Sequence, residues 1–207
     1  MSDSPTKKRH SDAEPPHAHE RALQGLGDAA TGCLRGVGPA SSWNPPDCGD
    51  IDMRIAADGT WFYCGSPVVR LPLVQLFASV LRKETDRYVL VTPVEKVGIR
   101  VDDAPFLAIE MRIEDEAGEP RLIFRTNMED LVTVDSEHLL RFERGAAEGL
   151  KPYVKVRGDL WALIKRALFY DLVALGKTER LANQDWFGVR SCGAFFLMCL
   201  ASEIEDL

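Results

Sequence analysis

The sequence predicts an α+β fold with mostly antiparallel strands, and three observations support this class. From residue 97 onward, short segments alternate apolar and polar residues, which is the pattern of half-buried strands. Asp58-Gly59 lies between two shorter segments of this kind, and the pair favours the positive φ angles of a tight hairpin turn. Two longer apolar stretches, residues 71–81 and 159–175, have the length and spacing of helices.

The first elements in order are a tail, a hairpin and a helix. Residues 1–45 are rich in Ser, Pro, Ala, Gly and His without a sustained period, which predicts a disordered tail. Strands at 52–55 and 60–63 flank the hairpin turn. The helix 71–81 carries Pro72 in its first turn, where a missing N–H costs little, and the strand 88–92 follows.

A series of strands comes next, at 97–101, 107–113, 122–126, 131–134, 139–142 and 153–156. The second helix, 159–175, has a core stripe at four-residue spacing that consists of Leu160, Ile164, Leu168 and Leu172. Strands at 186–189 and 195–199 close the fold. Each helix follows an aromatic strand and an arginine, and each precedes a strand. This order predicts a repeated strand–helix–strand motif.

Composition limits the classes of function. The chain of 207 residues is 45% hydrophobic, enough for one domain or for two small ones that share a core. Lys and Arg number 25 against 32 Asp and Glu, a formal net charge of -7, which argues against a nucleic acid polymer or a membrane surface as partner. Neither an apolar signal segment nor a membrane-length run is present, so a cytoplasmic location is expected.

Motifs for catalysis or metal binding are incomplete. The cysteines number 5 and form no CxxC pair, which predicts reduced thiols rather than disulfides or a zinc cage. The glycines at 25–27 lack the preceding strand of a dinucleotide loop, and Gly65-Ser66-Pro67 lacks the second glycine of a nucleophile elbow. His138 is the only histidine after residue 19, so a cysteine nucleophile has few candidate bases. We expect no catalytic residue, no metal site and no cofactor.

Basic residues beside apolar core segments predict a ligand site. They are Arg70, Lys96, Arg100, Arg125, Arg157 and Arg166. Arginine forks suit phosphate or carboxylate, and a neighbouring tyrosine such as Tyr153 offers a stacking face. Because residues at strand ends and helix starts converge readily on clefts, these cations indicate a site for a small anion. The alternative is that they only bridge acids such as Glu110, Asp130 and Asp171 across the surface.

Several pieces of the sequence together resemble an uncharacterised bacterial family, domain of unknown function 1285. These pieces are GTWFY at 59–63, GSP at 65–67, LVTPVEKV at 90–97, DAPF at 103–106, RTN at 125–127, PYV at 152–154 and FYDL at 169–172. The resemblance covers about residues 43–200. No single piece is specific, but the combination is.

The resemblance implies a two-domain core built from a repeated motif, with a small N-terminal α+β domain at 46–93. The second domain, 94–204, is expected to resemble a pleckstrin-homology-like β-barrel with one long helix. A ligand site is implied where the domains meet, with a nucleotide-related ligand and a role in signalling. The expected ligand-binding residues, from this junction and from the basic residues above, are Arg70, Thr92, Glu95, Lys96, Arg125, Thr126, Asn127, Tyr153 and Arg157.

Thr92-Pro93-Val94-Glu95-Lys96 is interpreted as the connector between these two domains. Proline fixes φ and restricts its neighbour, so the connector is expected to be stiff. Lys96 is then a predicted anion contact, and Glu95 is expected to orient Lys96 or a nearby arginine, or to accept a ligand hydroxyl.

Three functions follow as hypotheses. The first is a cytoplasmic ligand-binding or sensory protein without catalysis of its own. The second is a protein-interaction module that presents a strand edge or groove to a peptide. The third is a nucleotide-directed hydrolase, which the sequence disfavours because it lacks a compact acid cluster for Mg²⁺.

Overall fold

Two six-stranded sheets and two short helices make up most of the computed structural model, which describes residues 43–116, 118–145 and 149–206. The fold is mostly β, and one of the sheets curls into a half-barrel. The α+β prediction therefore overestimates the helical part, because the helices have only 9 and 10 residues. No helix in the described ranges is long and apolar enough to cross a membrane.

The first sheet is built from residues 47–101. Its strands are β1 (Asp47–Ile55), β2 (Trp61–Tyr63), β3 (Ser66–Pro67), β4 (Leu81–Glu84), β5 (Arg87–Val91) and β6 (Lys96–Val101), and helix α1 (Leu71–Ser79) lies between β3 and β4. The spatial order is β3-β2-β1-β6-β5-β4. The central pair, β1 with β6, is parallel, and the pairs β1–β2, β2–β3, β4–β5 and β5–β6 are antiparallel.

The second sheet repeats this topology. Its strands are β7 (Phe106–Glu116), β8 (Glu119–Thr126), β9 (Leu131–Thr133), β10 (Leu140–Arg144), β11 (Leu150–Arg157) and β12 (Leu160–Ile164). Read from β9, the order is β9-β8-β7-β12-β11-β10, which is the order of the first sheet with every number raised by six. The central pair, β7 with β12, is again parallel.

A smaller antiparallel sheet completes the described chain. Helix α2 (Arg166–Leu175) leads into β13 (Lys177–Leu181), β14 (Gln184–Ser191) and β15 (Ala194–Leu200), followed by a 3-10 helix (Ala201–Asp206). The fully buried Ser191 fastens this sheet to the second one. Its hydroxyl accepts a hydrogen bond from Leu122 N at 3.0 Å and donates one to Val134 O at 2.6 Å, so the buried hydroxyl is satisfied.

The predicted hairpin is confirmed. β1 and β2 pair antiparallel around Asp58-Gly59, and Gly59 has a φ of +81°. Most of the predicted strands also appear, because alternating burial follows alternating sequence. β3, β4, β12 and β13 were not predicted, since they are short or lack a clear apolar alternation.

The prediction of one helix over 159–175 is wrong in its first part. Residues 160–164 form β12, whose side chains alternate between buried and half-buried, and α2 begins only at Arg166. The reason is that residues four apart share a face in a strand as well as in a helix. Leu160 and Ile164 therefore fit both periods, and only Leu168 and Leu172 of the predicted stripe are helical. The two helices also occupy different places in the chain order, so they are not equivalent members of a strand–helix–strand repeat.

The first helix is shorter than predicted as well. It ends at Ser79, and Leu81 begins β4. At the other end of the first sheet, Trp43 belongs to the core, since it is 8% exposed and its carbonyl accepts a hydrogen bond from Arg82. The predicted tail therefore reaches at most to residue 42. Residues 1–42 lie outside the described residues.

The pentapeptide Thr92–Lys96 joins two strands of one sheet. Thr92 N and Oγ1 both donate to Glu95 O, and β5 pairs directly with β6 on either side. The interpretation as a connector between domains is wrong, because the chain passes from the first sheet to the second only after β6, at residues 102–105.

One continuous apolar core joins both six-stranded sheets. In the first sheet Trp61 stacks on Phe77 of α1 with ring centroids 6.2 Å apart. In the second sheet Phe106 and Phe124 are fully buried and belong to the same cluster of buried side chains. Burial of large aromatic side chains from both sheets holds the sheets together.

Candidate ligand-binding site

A cleft of about 470 Å³ opens where the β1–β2 hairpin meets the second sheet and α2. Ligand sites typically have about 300–1,000 Å³, so the cleft has room for a small organic molecule. Its walls are apolar and consist of Leu107, Leu150, Pro152, Leu163, Ile164 and Phe169. Its polar lining consists of Asp58, Lys151, Lys165, Arg166 and the half-exposed Tyr170.

Strand register places the walls of the cleft. β12 lies between β7 and β11, and Leu163 is opposite Leu107 on β7 and opposite Tyr153 on β11. Only Lys165 separates β12 from α2, and Phe169 N donates to Lys165 O at 3.1 Å in the first turn of the helix. The buried ring of Phe169 then lies beside the strand wall.

The hairpin from the first sheet closes one side of the cleft. A Cβ on Gly59 would lie 2.9 Å from Asn127 Nδ2 and 3.0 Å from a methyl of Leu107, so only glycine permits this close approach. Asp58 is thereby held at the cleft. Its carboxylate accepts a hydrogen bond from Thr60 N at 2.9 Å, and this backbone hydrogen bond lowers the pKa of Asp58.

Two cations of the cleft are unpaired. Within the described ranges, neither Lys165 nor Arg166 forms a salt bridge with an acid. Arg166 Nε donates to the hydroxyl of Tyr170 at 2.8 Å, and its guanidinium lies 5.5 Å from the centre of that ring. The first turn of α2 carries no acidic residue and no side-chain cap, so the positive end of the helix adds to their field.

The third cation, Lys151, is already neutralised. Its Nζ lies 2.7 Å from Asp103, whose other oxygen accepts a hydrogen bond from Tyr153 OH at 2.7 Å. Burial alone would raise the pKa of Asp103, but hydrogen bonds from Lys151 and Tyr153 outweigh it and lower that pKa. Burial and the neighbouring Asp103 carboxylate both raise the pKa of Tyr153.

Three of the arginines singled out in the sequence form ion pairs. Arg100 lies 3.8 Å from Asp102. Arg125 contacts Glu110 at 2.7 Å and Glu129 at 3.0 Å. Arg157 lies 3.3 Å from Asp130, donates to Ala78 O at 2.7 Å and stacks 5.1 Å over Phe106. Glu110 and Asp130, two of the acids named in the alternative, therefore do contact arginines.

Thr126 and Asn127 organise the end of β8. The fully buried Thr126 accepts hydrogen bonds at Oγ1 from Met128 N and Asp130 N. Asn127 exchanges two bonds with Leu107, since Leu107 N donates to its Oδ1 at 3.0 Å and its own N donates to Leu107 O. Asn127 thus holds one wall residue of the cleft in place.

The remaining predicted residues lie elsewhere on the first sheet. Lys96 pairs with Glu84 at 2.7 Å, and the Lys96 side chain is 14% exposed. Thr92 closes the turn to Glu95. Arg70 is exposed at the start of α1, where its carbonyl accepts hydrogen bonds from Leu73 N and Val74 N.

The structure therefore brings together some of the predicted residues and separates others. Thr126 and Arg157 meet at Asp130, and Arg157 lines a smaller polar pocket of about 290 Å³ beside α1. None of the nine predicted residues lines the large cleft, although Tyr153 reaches it through Asp103 and Lys151. Their role as ligand contacts stays a prediction. Arg166 was singled out as a cation beside the core. Among the wall residues, Pro152 and Phe169 lie in the pieces that carry the family resemblance, but neither was predicted to contact a ligand.

Among the described side chains, no group of three or more His, Cys, Asp or Glu could hold a metal ion. The cleft offers two unpaired cations and an apolar interior, which is a combination suited to an organic anion.

Two family models match this chain. "Domain of unknown function (DUF1285), N-terminal domain" matches residues 38–104, and "Protein of unknown function (DUF1285), C-terminal domain" matches residues 105–198. The chain belongs to the DUF1285 family. The resemblance predicted from the sequence is confirmed.

One solved structure agrees with this membership, and a second is similar to part of the chain. A crystal structure of a DUF1285 family protein from Silicibacter pomeroyi DSS-3 is 44% identical, covers 88% of this chain and 97% of its own, and has a TM-score of 0.79. Another DUF1285 family protein, from Shewanella baltica OS155, is 28% identical over 60% of this chain and 91% of its own, with a TM-score of 0.48. Among curated proteins, none matches.

Proposed function

We propose that this DUF1285 protein is a cytoplasmic ligand-binding protein with a sensory or signalling role, and that it binds a small organic anion in the large cleft. The observation that carries the proposal is the pair of unpaired cations, Lys165 and Arg166, beside apolar walls. Exposed cations attract an anion. The apolar walls beside them stabilise the organic part of that anion, because its surface is removed from water. The nucleotide-related ligands expected from the sequence are one class within this proposal.

The finer fold assignments belong to the same proposal. We propose that the half-barrel is pleckstrin-homology-like and that the two sheets arose by duplication. Support for duplication comes from the shared strand order and from the parallel pair at the centre of each sheet.

A fluorescence titration with 8-anilinonaphthalene-1-sulfonate tests the binding proposal. This probe is an aromatic anion whose emission rises in an apolar cleft. We expect saturable binding to the full chain and a loss of at least fivefold in affinity in Arg166→Ala, since a charge-assisted contact contributes about 1.5–3 kcal/mol. Lys155→Ala is the matched control, because Lys155 lies on β11 but outside the cleft. Equal binding by all three proteins, or no binding, would refute the proposal.

A protein-interaction module is the second candidate, and one observation favours it. β3 forms an edge of the first sheet, and two exposed apolar residues follow it, Val69 at 85% and Leu71 at 50% exposure. A partner strand or helix could cover them. If so, Val69→Asp should abolish co-purification of a partner that wild type retains, while the titration of the cleft is unchanged.

A further inference from the structure

We infer that the ligand of the cleft is a monoanionic carboxylate with an extended hydrocarbon body, such as a fatty acyl or comparable carboxylate. This inference rests on the proposed function and names the ligand class of the same site. It depends on how charge and apolar surface are divided within the cleft.

The interior of the cleft is apolar. Ile164 is 2% exposed, Phe169 6% and Leu107 7%, and the buried ring of Pro152 joins them. These side chains have no hydrogen-bonding group. The charged side chains of the lining, Asp58, Lys151, Lys165 and Arg166, are exposed. A ligand therefore meets charge at the rim and hydrocarbon inside.

This division disfavours a nucleotide. A base or a ribose has hydrogen-bonding edges on several sides, and the leucine, isoleucine, proline and phenylalanine walls would leave these edges unpaired. A hydrocarbon chain has no hydrogen-bonding group that these walls could leave unpaired, and the removal of its surface from water is favourable. The walls therefore select an apolar body over a nucleoside.

The charges at the rim indicate a single negative charge. Lys151 is held by Asp103 at 2.7 Å, so only Lys165 and Arg166 remain available. The Asp58 carboxylate also lines the cleft and offsets one of these two charges, because an aspartate is ionised at neutral pH. One net positive charge with a planar guanidinium fork fits a carboxylate.

A homologous series of carboxylates tests the class in the full chain. Hexanoate, octanoate and decanoate, each below its micellar concentration, are titrated by calorimetry and by displacement of the anilinonaphthalene probe. We expect affinity to rise about fourfold for each added methylene, which is the conversion of about 0.8 kcal/mol per buried methylene. Adenosine monophosphate should displace the probe poorly.

Variants assign the binding to the cleft. Arg166→Ala should weaken decanoate binding at least fivefold while binding of decanol stays unchanged, because only the carboxylate contacts the guanidinium. Leu163→Ala should weaken both, and Lys155→Ala should weaken neither. Circular dichroism confirms that each variant is folded.

The outcomes separate the two proposals. An affinity independent of chain length, or displacement of the probe by adenosine monophosphate but not by decanoate, would overturn the carboxylate class and leave the cleft as a binding site. Decanoate binding that is indifferent to both Arg166→Ala and Leu163→Ala would also overturn it. If the probe itself binds without dependence on Arg166, the proposed function fails first.

Discussion

Arg157 and Arg166 lie beside the same second sheet, yet they have opposite surroundings. Arg157 contacts Asp130, the carbonyl of Ala78 and the ring of Phe106, so its charge and its donors are used within the protein. Among the residues that the structure describes, the polar and ring contacts of Arg166 are made with Tyr170 alone, on its own helix and beside an apolar cleft. The first arginine joins α1 to the second sheet, whereas the second remains available to an anion.

The difference separates a cation that is used within the protein from one that our proposal assigns to an anion. Both arginines lie beside apolar core segments in the sequence, and both were selected for that reason. Their roles differ because acids and carbonyls from distant segments reach Arg157 and do not reach Arg166. The distinction depends on tertiary pairing, and it can be tested by removing each contact in turn.

The largest expected effect concerns the hairpin that closes the cleft. Gly59→Ala should lower the free energy of unfolding by about 2–5 kcal/mol, which combines about 1–2 kcal/mol for a left-handed residue with about 1–3 kcal/mol for overpacking. The overpacking arises because Asn127 and Leu107 lie about 3 Å from the added methyl. The two residues are also hydrogen-bonded to each other, which restricts their movement away from it. Denaturant unfolding measures the change.

Gly65→Ala is the matched control for this substitution. Gly65 also has a positive φ, of +76°, but nothing lies within 4 Å of its added methyl. It should therefore show only the smaller, left-handed part of the cost. Equal costs for the two variants would mean that the hairpin does not pack against the second sheet as described.

Asp103→Asn should turn Lys151 from a structural cation into a binding one. At neutral pH we expect this substitution to lower the free energy of unfolding by about 1.5–3 kcal/mol, because two hydrogen bonds to a charged carboxylate are weakened. Since the folded pKa of Asp103 lies below its ordinary 3.8, the stabilisation is present above that value and is lost as the pH falls through the folded pKa. The difference in the free energy of unfolding between wild type and Asp103→Asn should therefore disappear at acidic pH.

The control for pH is Asp86→Asn, which removes an exposed carboxylate on the β4–β5 turn that has no ion pair within the described ranges. Its effect should be small at every pH. Asp103→Asn should also bind the anilinonaphthalene probe more tightly, because Lys151 is released. Unchanged binding would show that Lys151 does not face the ligand.

Part of the fold could be predicted from the sequence because strand burial repeats every second residue. That period is local, so the strands of β7 and β8 and the Asp58-Gly59 turn were identified correctly. The segment 160–164 was not, because residues spaced by four satisfy both the strand and the helix period. Its pairing with β7 depends on a register that connects residues more than fifty positions apart.

For the site, the sequence allowed a prediction of residue types but not of their positions in the fold. Cations beside apolar segments were the predicted type of residue, but the cleft is lined by four separate segments near 57, 107, 151 and 165. Likewise, Arg125 is opposite Glu110 only because β7 and β8 pair in one particular register. Neither fact is encoded in a local pattern, so Arg157 and Arg166 looked alike in the sequence.

Replacement of each of the two arginines by methionine should have an effect of intermediate size on stability and on probe binding. Arg157→Met should lower the free energy of unfolding by about 1 kcal/mol, since the hydrogen bond to Ala78 is lost while the apolar contact with Phe106 is partly kept. Arg166→Met should change stability by less than about 0.5 kcal/mol, as expected for a surface substitution. For probe binding the order should reverse, with a loss in Arg166→Met and none in Arg157→Met. A loss of binding in Arg157→Met would place the ligand in the smaller pocket beside α1 instead.

The smallest expected effect is that of Arg125→Gln. Its ion pairs with Glu110 and Glu129 are partly exposed, and such pairs contribute about 0.2–1 kcal/mol. The resulting loss in the free energy of unfolding should disappear in about 1 M salt, where the screening length falls to about 3 Å. Binding of decanoate should be unchanged, because the acids that surround Arg125 already satisfy its charge. A variant that keeps its stability but loses decanoate binding would reverse the assignment, since it would show that the ligand displaces these carboxylates and that a paired arginine can serve as the binding cation.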